Sequence, residues 1–177
     1  MRKIKEKKGF TLVEMIACIV TLILIGLICS AGMNLATMSL RESTFESDSQ
    51  MLESTLNTYL GDILRYAKDI QVEADGSVKS FTNDTYYIDE GKFEIKLSGP
   101  ENLQAGYLIC TSQSALEDTE GIMLINEGTY AGSLYIKDFV LYYDQEKEVF
   151  TGSYVIVSSM TDSKKNCAFS YRTISIQ

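Results

Sequence analysis

Lys7-Lys8-Gly9-Phe10-Thr11-Leu12-Val13-Glu14-Met15-Ile16 reads KKGFTLVEMI and opens the longest apolar run of the chain. From Met15 to Leu40 no residue is charged, so Glu14 stands at the lip of that run. A charge inside a membrane helix costs about 2.5–3.5 kcal/mol on insertion scales and calls for a partner. The apolar run offers none, and what Glu14 pairs with decides how the segment is used.

Working outward, residues 10–38 are helix-compatible throughout and rich in Leu, Ile, Val, Ala and Met. Gly26 and Gly32 weaken that helix by about 1 kcal/mol each relative to Ala. The uncharged stretch is longer than the roughly 20 residues that cross a bilayer core. Before it, five basic residues (Arg2, Lys3, Lys5, Lys7, Lys8) against Glu6 give residues 1–9 a charge of +4. With a formal total of −8, the remaining residues carry −12. Basic residues flanking a first apolar segment hold that side in the cytoplasm, so the chain after Leu40 is expected outside. The negative outer part argues against broad electrostatic binding of nucleic acid or anionic lipid.

Beyond the apolar run, Arg41–Gln50 is polar apart from Phe45. Apolar residues then recur at Leu52, Leu56, Tyr59, Leu60, Ile63, Leu64 and Ala67, at gaps that make one stripe of an amphipathic helix over residues 50–68. No Pro interrupts residues 10–68, which predicts one helix, roughly 90 Å long if unbroken. Ala74-Asp75-Gly76-Ser77 and Asn83-Asp84 read as turns in a connector. Strand-like runs follow at 85–89, 92–97, 107–112, 122–126, 134–136, 139–144, 150–158 and 168–176. Asp89-Glu90-Gly91 and Gln145–Glu148 read as hairpin turns between them. A helical pattern followed by strands predicts an α+β fold. A long N-terminal helix, membrane-spanning in its first half and amphipathic in its second, packs on a C-terminal antiparallel sheet at about 85–177. The division is then a basic leader (1–9), an apolar half-helix (10–40) and an outer globular domain (41–177).

The segment Gly9-Phe10-Thr11-Leu12-Val13-Glu14, with its basic leader and about twenty following apolar residues, closely resembles the N-terminal signal of type IV pilins and type II secretion pseudopilins. The resemblance covers residues 1 to about 40 and implies the following. A membrane prepilin peptidase cuts between Gly9 and Phe10 and methylates the new amine of Phe10. Glu14 becomes the fifth mature residue and attracts the Phe10 amine of an adjoining subunit. In a low-dielectric setting such a pair interacts far more strongly than in water, and stranding one partner is costly. Glycine before the cut suits close backbone approach by the peptidase. The implied protein is a minor structural subunit of a pilus-like or pseudopilus filament. Its partners are the peptidase, other subunits, a membrane assembly platform and the lipid bilayer. It passes once through the membrane with a cytoplasmic N-terminus, then enters a surface filament.

Other chemistry is sparse. Histidine and tryptophan are absent, which removes the commonest general base and metal ligand. Neither a catalytic constellation nor a Gly-rich phosphate loop is present, so the expectation is no enzyme and no cofactor. Cys18 and Cys29 lie in the apolar run as fillers. Cys110 and Cys167 form either a disulfide, worth roughly 4 kcal/mol in the chain-entropy model, or two partly buried free thiols. Asp138, Asp144, Glu146, Glu148 and Asp162-Ser163 lack EF-hand spacing and read as solvated loop charge rather than calcium ligands. Lys164-Lys165 and Arg172 are the one local basic feature. The alternatives are a DNA-binding or adhesive minor pilin of a competence-type pilus, and a signal-anchored outer domain unrelated to filaments.

Overall fold

The computed structural model describes residues 11–112, 122–125, 130 and 133–174. The chain divides into two compact units, Met1–Ser43 and Thr44–Gln177. One helix, α1 (Leu12–Arg65), runs through the boundary for 54 residues. In the first unit every described side chain is exposed, and the helix is long and apolar enough, by length and composition, to cross a membrane. Two of its hydroxyls are satisfied within the helix. Thr21 and Thr37 donate to the carbonyls of Ala17 and Met33, four residues back, at 2.7 and 2.8 Å.

In the second unit the rest of α1 packs on an antiparallel sheet. The strands are β1 (Lys68–Val72), β2 (Val78–Asn83), β3 (Ile88–Leu97), β4 (Gly106–Thr111), β5 (Ile122–Met123), β6 (Leu134–Asp144), β7 (Val149–Ser158) and β8 (Lys164–Arg172). Their order is β1-β2-β3-β4-β6-β7-β8, with the short β5 pairing to β4. The architecture is therefore α+β, one long N-terminal helix on an antiparallel sheet. The helix buries Phe45, Ser49, Leu52, Leu56, Leu60, Ile63 and Leu64. Against them stand Phe81, Ile88, Leu108, Ile136, Phe150, Tyr154, Ile156 and Phe169 from the sheet. The predicted stripe is right in its aliphatic members, but the buried face starts earlier, at Phe45. Tyr59, at 42% exposed, is not part of it. Each fully buried Leu or Ile contributes about 1.5–3 kcal/mol, so this stripe is the main bond between helix and sheet.

The structure departs from the sequence reading at three places, the last two for one cause. The connector at 68–83 is a hairpin, β1–β2, whose turn holds Gly76 at φ 83°. The reversal expected at Asp89–Gly91 lies earlier, at Asp84–Tyr87, and residues 89–91 sit inside β3. There Phe81 pairs with Gly91 and Asn83 with Ile88, leaving one extra residue on β3, and Glu90 takes φ 46°. A Cβ at Gly91 would collide with the Ile88 side chain, so glycine is required at this bulge. The two strands expected at 134–136 and 139–144 are one strand, β6, bulged between Lys137 and Val140, with Asp138 at φ 55°. Residues that favour left-handed backbone serve bulges as readily as turns.

The helix ends at Arg65, three residues before the expected limit, and its last carbonyls are taken up by the sheet unit. The Asn83 side-chain amide donates to Ile63 O at 2.7 Å, and Ile174 N donates to Arg65 O at 2.7 Å. Asn57 holds the opposite side. Tyr154 and Tyr171 hydroxyls donate to its side-chain and backbone oxygens at 3.3 and 2.8 Å.

Candidate functional site

Gly9 and Phe10 lie outside the described residues. Thr11 precedes the first helical residue, and its side chain and that of Glu14 close on each other. The Thr11 backbone N–H and hydroxyl both donate to Glu14 Oε2 at 2.9 Å. The Glu14 backbone N–H donates back to Thr11 Oγ1 at 3.3 Å. This is a capping box. Two N–H groups that the first turn leaves orphaned are satisfied reciprocally, and the carboxylate sits at the positive end of the helix dipole. Within one chain, then, Glu14 is held by Thr11. Its other oxygen, Oε1, has no partner among the described residues. The sequence reading missed Thr11, although Thr11-Leu12-Val13-Glu14 has the T-x-x-E spacing of a helix start before an apolar run.

The bridge between Cys110 and Cys167, one of two readings of the sequence, is not made; both are buried free thiols. Cys110 is on β4 and Cys167 on β8, with β6 and β7 between them. Three strand spacings of about 4.8 Å exceed the 4.4–6.8 Å Cα separation of a disulfide. Burial pushes the Cys110 thiol up to about 12. Burial, with the Glu53 carboxylate beside it, lifts Cys167 to about 11. Both are therefore protonated, unreactive core side chains.

The acidic candidates are scattered. Asp138 occupies the β6 bulge, Asp144, Glu146 and Glu148 lie at the β6–β7 reversal, and Asp162 lies between β7 and β8. Lys147 pairs with Asp144 at 2.8 Å. Among the described residues no three His, Cys, Asp or Glu side chains come together as a metal site. The basic candidates are divided too. Lys165 reaches across to α1 and pairs with Glu53 at 3.0 Å and Glu46 at 3.6 Å. Burial pulls its pKa down, but the two carboxylates prevail and hold it above the usual lysine range. Lys164 and Arg172 are exposed at opposite ends of β8. A contiguous basic surface for nucleic acid is not assembled from them.

The chemistry left at the helix N-terminus is that of a carboxylate anchored by one oxygen and open at the other, at the mouth of a helix able to cross a bilayer. It can position an incoming cation. No family model, curated protein or solved structure matches the chain.

Proposed function

We propose that the protein is a subunit of a type IV pilus-like or type II secretion pseudopilus filament, made in the membrane and assembled through α1. Prepilin peptidase cuts between Gly9 and Phe10, and the N-methylated Phe10 amine of one subunit pairs with Glu14 of its neighbour. The assembly platform and other pilin-like subunits are the partners, and the role is structural rather than catalytic. The N-terminus starts in the cytoplasm, the second unit outside. The observation that carries this reading is the segment Gly9–Glu14 opening a membrane-length helix whose chain continues into an antiparallel sheet domain.

The capping box adds a physical step to that scheme. A lone carboxylate at the membrane boundary is expensive, and Thr11 lowers that cost before assembly by supplying two hydrogen bonds. Oε1 remains open to an ammonium group without breaking them. A neighbour's amine then adds to a held carboxylate instead of capturing a mobile one, and the pair sets the axial register of the two helices.

Glu14→Ala tests this assignment. Membrane insertion and cleavage at Gly9 are expected to continue, because the charge is gone and the cleavage residues are intact. Incorporation into sheared filaments, at matched amounts of processed precursor, is expected to collapse. Glu14→Asp gives an intermediate loss and Glu14→Lys the largest. Wild-type incorporation of Glu14→Ala would mean that apolar packing alone sets the register.

A further inference from the structure

A second location on the molecule has groups that make no side-chain hydrogen bond, ion pair or ring contact among the described residues. Tyr59 and Asp62 lie three residues apart near the end of α1, and Tyr66 is the first residue beyond it. Asn83, fully buried, carries the β2–β3 reversal to that face. Its side-chain amide donates to Ile63 O, while its Oδ1 accepts the backbone N–H groups of Thr85 and Tyr86 at 2.9 and 3.2 Å. The reversal is thereby fastened to the helix turn between Asp62 and Tyr66. It presents Tyr86 and, at 88% exposed, Tyr87. Tyr87 also takes φ 53°, a left-handed conformation that a bulky side chain rarely adopts.

None of these four phenols has a hydrogen bond or ring contact among the described residues, whereas eleven other Phe and Tyr rings pair with one another. Asp62 likewise has no ion pair among the described residues, although Arg65 lines the same surface cavity. Arg65 lies over the Tyr171 ring at 5.8 Å and Lys68 pairs with Asp84 at 2.7 Å. Burial first, then Asp62, Tyr59 and Tyr66, hold the Tyr86 hydroxyl above its usual range.

We propose that Tyr59, Asp62, Tyr66, Tyr86 and Tyr87 form a docking site for an arginine side chain of a partner protein. The argument is charge complementarity. An exposed carboxylate with no ion pair among the described residues, on a net-acidic chain and with exposed tyrosines one helical turn before it and on the clamped reversal, attracts a cation. Arginine fits better than lysine because its plane stacks on tyrosine while its fork bonds both carboxylate oxygens. Exposed tyrosines held by a buried clamp lose little conformational freedom on binding, as interface anchors should. This site is independent of the filament assignment and of Glu14.

The test is NMR on the full chain in detergent micelles, following the Tyr86 backbone amide and the Asn83 side-chain amide. The probe is an acetylated Gly-Gly-Arg-Gly-Gly amide, with the uncharged citrulline peptide beside it. The arginine peptide should shift both signals saturably, and Asp62→Asn or Tyr86→Leu should weaken binding by about tenfold. Glu101→Gln, which removes the same charge from another exposed position, should leave the affinity unchanged. Three results would overturn the proposal: equal binding of the citrulline peptide, equal weakening by Glu101→Gln, or saturation of the same signals by chitotriose but not by arginine.

Discussion

Thr11 and Glu14 divide one task between them. Thr11→Ala removes the cap and should cost about 0.5–2 kcal/mol of local helix stability. Faster hydrogen exchange confined to the first turn of α1 is the expected signature. Unchanged exchange there would mean the capping box does not hold the helix start. The buried thiols give a second prediction, with its sign fixed by their shifts. Both titrate higher in the folded chain than their ordinary 9.0, Cys110 at about 12 and Cys167 at about 11. A raised folded pKa gives stabilisation that is complete below pH 9 and is lost as pH rises towards 11–12. The thermal midpoint should therefore be level from pH 7 to 8.5 and fall above it, less steeply in Cys110→Ala after allowing for its lower starting stability. A midpoint that rises above pH 9 would contradict the buried-thiol geometry. Residues such as Thr11 are legible in sequence once the capping spacing is looked for. Asn83 is not, because turn chemistry hides that its amide reaches 20 residues back to the helix.

Among the elements, the buried stripe of α1 carries the second unit. Leu56→Ala should destabilise that unit by about 2–5 kcal/mol, and Leu56→Asp should unfold it, read by circular dichroism and thermal melting. Wild-type melting of both would place the stripe on the wrong surface. Because burial begins at Phe45, a fragment starting at Thr44 should be soluble, monomeric and more stable than one starting at Met51. The shorter fragment loses Phe45, Ser49 and the Glu46 partner of Lys165. The helix was readable from its period and its lack of proline, and so was the sheet class from its β-branched and aromatic runs. Strand limits were not. β1 and β2 are short, polar and bulged, so their residues imitate a connector. Glu90-Gly91 and Asp138 imitate chain reversals while serving bulges inside single strands.

At the scale of the whole molecule, the sequence separates an apolar half-helix from a folded domain near the boundary at Ser43, because composition changes abruptly there. What the structure adds is a reason for each unit to stand alone. The second unit covers its own helical stripe with its own sheet, while every described side chain of the first is exposed. A bilayer and then neighbouring helices are the coverings that the filament account supplies. Its central claim is that the chain is processed at Gly9–Phe10 before it is assembled. Mass spectrometry of the N-terminal peptide of the mature membrane or filament form tests that most directly. The account predicts a start at N-methylphenylalanine, at Phe10. A mature chain beginning at Met1, or at any residue beyond Phe10, would contradict it.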